Sequence, residues 1–360
     1  MIKTFDKIGK ILRKFRKFYI NKKLNNSFFS NNEIKKFFPS IKKIIKRISI
    51  NNSWFHIEDL LLSIDQWGKT LTRKNLEHWI DKQFYKINNN KNKEKNVLVI
   101  MPGNIPLAGF HDFLCVIISG YKIIIKLSQK ENLLFPFLCK IMKHINPMLK
   151  DKIKFTENFF KEKYDYVIAT GNNNTARYFE YYFRNKPLLL RNNRTSIAIL
   201  QGNEKQEDLI LLNKDILTYS GRGCRNIGKI FIPYKYNISH ILDKSYLYKY
   251  ITRNKKYMDN YKYYLSIYNM NKKICIKNND FLIFKEDKNY FSPISVVYYE
   301  YYKNLDKLKK NIFKNKKHLQ CIVAKNFLEE EICFGEAQLP KLEDYADGIN
   351  TIQFLSRQIK

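Results

Sequence analysis

Between residues 96 and 200, short apolar runs alternate with stretches of helical periodicity, and this narrows the fold more than any other feature. NVLVIM (96–101) is a β-rich run stopped by Pro102 and Gly103. Leu107, Phe110, Leu114 and Ile117 then share one helical face, and Gly120 ends that segment. YKIIIKLS (121–128) predicts the next strand, 131–144 a helix, KYDYVIATG (163–171) a strand, 173–183 a helix and TSIAIL (195–200) a further strand. Strands alternating with helices imply βαβ units and a parallel sheet. After residue 224 the texture changes. GKIFIP (228–233), FLIFK (281–285), SVVYYEYY (295–302) and CIVAK (321–325) read as strands of a second α/β domain, separated by Tyr-, Lys- and Asn-rich segments. Residues 1 to about 90 read as helices, followed by a polar linker, INNNKNKEKN (87–96).

These readings predict three regions: a helical segment at 1–90, an α/β domain at 91–220 and a second domain at 221–335. The tail 336–360 is expected to return to the first α/β domain. A length of 360 residues suits two domains. The formal charge of +33 invites a nucleic-acid or anionic-membrane partner. Lys is spread along the chain, however, and Lys, Asn, Ile, Tyr and Phe share AT-rich codons, so coding bias accounts for the charge without a specific nucleic-acid footprint. The six cysteines form no CxxC pair and are irregularly spaced, which points away from zinc and disulfide frameworks and towards a reducing, cytoplasmic setting. The histidines lack metal-ligand spacing, so no metal is expected. No apolar run approaches the ~18 residues of a membrane span. The basic, amphipathic start, MIKTFDKIGKILRKFRKFYI, is expected to be a packed surface helix.

In an open parallel sheet, ligands gather at the carboxyl ends of the strands. PGNIPLAG (102–109) places Asn104 after the first strand, Lys126 lies near the end of the second, and TGNNNTAR (170–177) follows the third. A glycine before a helix start suits a pyrophosphate, but strand–Gly–helix turns are also ordinary structural devices. Asn104 can be a turn former, and Lys126 a solvated strand end. Cys224 sits among Gly221, Arg222, Gly223, Arg225 and Asn226. Glycines admit a substrate closely, and arginines lower a thiol's pKa. Cys115, Cys139, Cys275, Cys321 and Cys333 lie in or beside apolar patterns and are expected to be buried and inert. His111, next to Asp112, is either a residue facing the sheet's carboxyl end or a helix-capping or packing residue.

MPGNIPLAGFHDFLCVIISGYKIIIKLSQK, ATGNNNTARYFEYYF, RNNRTSIAILQGNE and GRGCRNIGKIFIP, in this order, resemble the acyl-CoA reductases related to the fatty-acid reductase subunit of bacterial bioluminescence, within the aldehyde dehydrogenase superfamily. FGEAQLPKLEDYADGINTIQFL (334–355) resembles the end of such proteins. The resemblance implies a Rossmann-like cofactor domain, a second α/β catalytic domain and a homo-oligomer. It implies Cys224 as nucleophile and Asn104 as an oxyanion donor. Lys126 would contact the adenosine ribose or its phosphate, and Thr170, Gly171 and Asn172 would form the turn against the pyrophosphate. The cofactor would be NADPH, and the substrate an acyl-CoA thioester reduced to an aldehyde. Hydrolytic relatives carry a glutamate base about 34 residues before the cysteine. Here that block reads Arg191-Asn192-Asn193-Arg194 and holds no acid, which favours thioester reduction over release by water. Arg222 replaces a commonly hydrophobic residue and could tune the thiol or meet a CoA phosphate. The rivals are a CoA-acylating aldehyde dehydrogenase for small aldehydes and a basic nucleic-acid- or membrane-binding protein on a decayed reductase scaffold.

Overall fold

Amphipathic spacing builds the amino-terminal helices. The computed structural model describes residues 1–20, 36–88, 95–271 and 274–356. Helix α1 (Ile2–Ile20) buries Phe5, Ile8, Ile11, Leu12 and Phe15, which recur on one face and leave the lysines outside. The basic start is thus a packed helix. Helices α2 (Phe38–Asn51), α3 (Ile57–Thr70) and α4 (Arg73–Asn88) follow. Residues 89–94 of the expected linker lie outside the described residues.

The first sheet comes next in the chain, as β1 (Asn96–Ile100), α5 (Phe110–Ile118), β2 (Lys122–Lys126), α6 (Leu134–Ile145), β3 (Ile153–Phe155), β4 (Tyr166–Thr170), α7 (Asn173–Tyr182) and β5 (Leu188–Arg191). All its strands are parallel, in the order β3-β2-β1-β4-β5. Both faces are covered, which is why the strands are apolar without alternation. Val97, Val99, Ile123, Ile125 and Ile168 join a core shared with α1–α6, whereas Leu98, Ile124, Val167 and Ala169 face a second cluster around Phe183.

The second sheet has the order β11-β6-β7-β10-β9-β8. Its elements are β6 (Thr195–Ile199), α8 (Gln206–Leu217), β7 (Ile227–Pro233), α9 (Ser239–Ser245), α10 (Lys255–Met270), β8 (Ile276–Asn279), β9 (Leu282–Glu286), β10 (Val296–Tyr302), α11 (Leu305–Lys314) and β11 (Leu319–Val323). Only β8, paired with β9, runs antiparallel. Helix α12 (Thr351–Ser356) ends the described chain.

The chain divides into one unit of 1–192 with 341–360 and another of 193–340. The first boundary therefore falls near 192, not 220, because β6 pairs with β7 and β11 in the second sheet. The helical segment at 1–90 is no region apart, since its apolar faces belong to the same core as the first sheet. Among the described residues, no helix is long and apolar enough to cross a membrane.

Candidate active site

Strand order places the first group of candidate residues. β1 lies between β2 and β4, so the order in which strands are added reverses there, and the carboxyl edge at such a switch point forms a crevice. Ile100 pairs with Lys126 on one side and Ala169 on the other, which brings the starts of 102–109 and 170–172 beside Lys126. Asn104 is half-buried in a loop where Leu107 adopts a left-handed φ of 57°. Ser63 of α3 holds that loop by donating to the Pro106 carbonyl at 3.0 Å. Lys126 Nζ meets Glu157 Oε2 at 2.7 Å, and the Glu157 side chain is 94% exposed.

Asn172 is the N-cap of α7, accepting from the Thr175 backbone N–H at 2.8 Å and its hydroxyl at 2.9 Å. Gly171 serves close packing: a Cβ there would stand 3.1 Å from Thr175 Cβ and 3.2 Å from Phe179. The turn is thus a structural strand-to-helix device, and it also aims the positive end of α7 at the crevice. Asn104, Lys126, Thr170, Gly171 and Asn172 share this edge; Cys224 belongs to the other unit.

Arg191, first of the 191–194 block, ends β5 and is 3% exposed. Its Nη2 donates to Asp112 Oδ1 and Thr351 Oγ1, both at 2.8 Å, and its Nη1 to the Ala346 carbonyl. Thr351 also donates to Asp112 at 2.8 Å. Burial would push the Asp112 carboxyl up, but the Arg191 charge and hydrogen bond, with smaller help from His111 and Thr351, hold it below its usual range. This clamp fastens the tail to α5. His111 proves to be a packing residue. Its Nε2 lies 2.9 Å from the Leu342 carbonyl and its ring packs against Trp79 and Tyr345, while burial lowers its pKa.

Cys224 occupies the turn between α8 and β7 and is half-buried. Just before it, Tyr219, Ser220 and Gly221 are all left-handed, with φ of 55°, 57° and 69°. Glycine takes that conformation freely, whereas Tyr and Ser do so at a cost of roughly 1–3 kcal/mol each unless their surroundings over-determine it. The surroundings are specific. Asn226 Nδ2 lies 2.9, 3.2 and 2.8 Å from the carbonyls of Asp215, Ile216 and Thr218, at the end of α8. Its Oδ1 accepts from the Gly223 N–H at 2.7 Å. Ser196, fully buried on β6, donates to the Cys224 carbonyl at 2.9 Å.

A further layer ties this turn to 335–337. The Asp215 carboxylate accepts from the N–H groups of Gly335 and Ala337 at 2.7 and 3.1 Å. Burial outweighs those donors and pushes its pKa up to about 7. Arg225 Nε donates to the Ala337 carbonyl at 2.7 Å, so one of the two arginines flanking Cys224 is bound within this layer. Of the other cysteines, Cys115, Cys139 and Cys321 are buried as expected, but Cys275 and Cys333 are exposed. Their apolar neighbours belong to strand ends and loops, where side chains can face outward.

Asn226, Ser196 and Asp215 were not singled out in the sequence. The available signal was a short amide two residues after a glycine-flanked cysteine, a residue type that bonds nearby backbone in turns.

No family model matches the sequence, and no curated protein matches it. Solved structures do. An oxidoreductase from Marinobacter aquaeolei aligns over 92% of this chain and 74% of its own, with a TM-score of 0.60 at 11% identity. An NAD+ complex of aldehyde dehydrogenase from Bacillus cereus aligns over 90% and 71%, at 0.59 and 12%. An indole-3-acetaldehyde dehydrogenase in complex with NAD+ aligns over 94% and 73%, at 0.63 and 10%. At such identities the likeness is one of architecture: this chain has an aldehyde-dehydrogenase-like fold.

Proposed function

We propose that the protein is an NADPH-dependent acyl-CoA reductase that converts a long-chain acyl-CoA to the aldehyde through an acyl group held on Cys224. The observation that carries this reading is the turn at Cys224, a strained left-handed bend secured by Asn226 and Ser196. Strain held in place by many bonds is characteristic of functional sites rather than of incidental loops.

The Cys224 thiolate attacks the thioester carbonyl, the C–S bond to CoA breaks, and CoA leaves as its thiolate, which takes a proton from water. The acyl group stays on Cys224 as a new thioester. The Cys224 backbone N–H stabilises the oxyanion formed on the way, and the family resemblance assigns the Asn104 amide the same task; loss of one such donor typically costs about 10²–10³ in rate. Two-electron reduction of the enzyme thioester gives a thiohemiacetal, which collapses to aldehyde and returns the thiolate. Arg191 stands in the block that would supply a base for water, and its guanidinium is committed to Asp112 and Thr351. That supports reduction over hydrolysis.

The carboxyl edge of the first sheet suits a nicotinamide dinucleotide. Lys126, which pairs with the exposed Glu157, would hold the adenosine ribose or its phosphate. The start of α7, at Thr170, Gly171 and Asn172, would face the pyrophosphate. When bound, such a cofactor supplies the hydride. The fold neighbours that hold NAD+ agree with a nicotinamide cofactor; the choice of NADPH follows the family resemblance.

Intact-mass measurement after incubation with dodecanoyl-CoA tests the reading. An acyl adduct on Cys224 that NADPH clears, with release of dodecanal, is the expected result. Cys224→Ala should take no adduct and lose NADPH oxidation. Full activity in that variant would sink the mechanism.

A further inference from the structure

We propose that Asn226 is a positioning residue for Cys224, orienting the backbone donor that receives the oxyanion; this rests on the reading of Cys224 as nucleophile. The argument begins with the peptide plane. In a trans peptide the carbonyl of one residue and the N–H of the next point in opposite directions. Fixing the Gly223 carbonyl therefore fixes the direction of the Cys224 N–H. The Asn226 backbone N–H holds that carbonyl at 3.0 Å. The Asn226 side chain holds the preceding peptide through the Gly223 N–H at 2.7 Å. Gly223 is the residue with most freedom to rotate, and both of its polar groups are bound by Asn226.

The anchor is itself anchored. Asn226 is 5% exposed, and its amide reaches three carbonyls, those of Asp215, Ile216 and Thr218. An amide carries two N–H protons, so one of the three contacts is shared. These are carbonyls that the end of α8 leaves without helical partners. Asn226 thus transfers the rigidity of a helix end to the turn that bears Cys224. Ser196 holds the other side, through the Cys224 carbonyl. A backbone donor fixed in advance stabilises developing charge without reorganising during reaction. Asparagine alone suits the place. Asp would set a carboxylate against three carbonyls, and Ala would release all four contacts of the side chain.

Asn213 provides a control. It is fully buried on α8, and its amide bonds the carbonyls of Leu209 and Ile241, both at 2.9 Å, with no bond to the Cys224 turn. A purely structural role for Asn226 predicts that Asn226→Ala and Asn213→Ala behave alike.

The full-length wild-type protein, Asn226→Ala, Asn213→Ala and Ser196→Ala are compared by two measurements. The first is the pH profile of Cys224 alkylation by iodoacetamide, read by peptide mass because Cys275 and Cys333 are also exposed. The second is the rate of single-turnover acyl loading from dodecanoyl-CoA. Folded Asn226→Ala should load about 100-fold more slowly, with a displaced alkylation profile at Cys224 and an unchanged one at Cys275. In steady state kcat should fall while KM for the thioester moves less than about threefold. Asn213→Ala should keep the wild-type loading rate. The proposal is overturned if folded Asn226→Ala loads within twofold of wild type, or if Asn213→Ala loses as much. If Asn226→Ala does not fold, Ser196→Ala decides: about tenfold slower loading supports a turn held from both sides, and a wild-type rate overturns it. Wild-type protein that takes no acyl group on Cys224 refutes the acyl-enzyme reading instead; the alkylation profile of Asn226→Ala then supports or overturns the positioning role on its own.

Discussion

Lys126 combines an observed ion pair with the ligand role proposed for it. Its side chain is 24% exposed at the end of β2, and its partner Glu157 is 94% exposed. An ion pair with a carboxylate in open solvent contributes only ~0–1 kcal/mol, so a cofactor phosphate can replace Glu157 at little cost. Lys126→Met should therefore raise the KM for NADPH about tenfold while kcat stays within twofold, the signature of lost ground-state binding. Glu157→Gln should lower that KM by less than about fivefold, since the competing carboxylate is gone. Initial-rate kinetics decide both, and an unchanged KM in Lys126→Met removes its cofactor role. Lys126 was legible in the sequence because strand ends are places where ligands gather. Asn226 was not, because its carbonyl partners lie 8 to 11 positions earlier and become neighbours only when α8 ends in a left-handed turn.

At the scale of elements, the central strands and the edge strand β11 were readable, and the edge strands β3, β5 and β8 were not. β1, β2, β4, β6 and β7 are continuous apolar runs. β3 is Ile-Lys-Phe, with only Ile153 buried, and β8 is a polar edge strand closed by a tight turn. Neither leaves a periodic signal. β5 is the four-residue run Leu-Leu-Leu-Arg, too short for periodicity to mark as a strand. The membership of β6 was beyond local sequence, since its partners Ile227 and Leu319 are distant in the chain. The tail depends on the Arg191 clamp. Replacing Arg191 by Met leaves Asp112 buried without its cation, which typically costs about 3–5 kcal/mol. Thr351→Val removes one neutral partner and should cost about 1 kcal/mol. The three tryptophans, Trp54, Trp67 and Trp79, all belong to the unit that contains this clamp, so tryptophan fluorescence in urea reads its unfolding directly. Equal midpoints for wild type and Arg191→Met would show that the clamp contributes nothing.

The whole molecule carries a formal charge of +33, and its few acidic groups are unevenly placed. Two are buried and kept protonated well above their usual range. Burial pushes Glu131 up to about 7, against the backbone donors at Phe135 and Leu134, and Asp215 likewise to about 7. In the unfolded chain both would release their protons near pH 4. Between about pH 4 and 7 the folded state therefore binds more protons than the unfolded state, and stability must fall as pH rises through that window. His111, lowered by burial, acts in the opposite sense, because the unfolded state takes up its proton first as pH falls below about 6.5. The net slope mixes these terms, but one substitution separates them. Glu131→Gln keeps an oxygen to accept from Phe135, where Glu131 Oε1 now stands at 3.3 Å, and removes the titration. At pH 5 the variant should match wild type within about 1 kcal/mol. By pH 8 it should be the more stable by up to about 3 kcal/mol, the full linkage of a proton held from pH 4.5 to about 7. Urea midpoints read by tryptophan fluorescence at pH 5, 6, 7 and 8 would show two curves diverging with pH. Parallel curves would mean that Glu131 ionises in the folded protein as freely as in the unfolded chain.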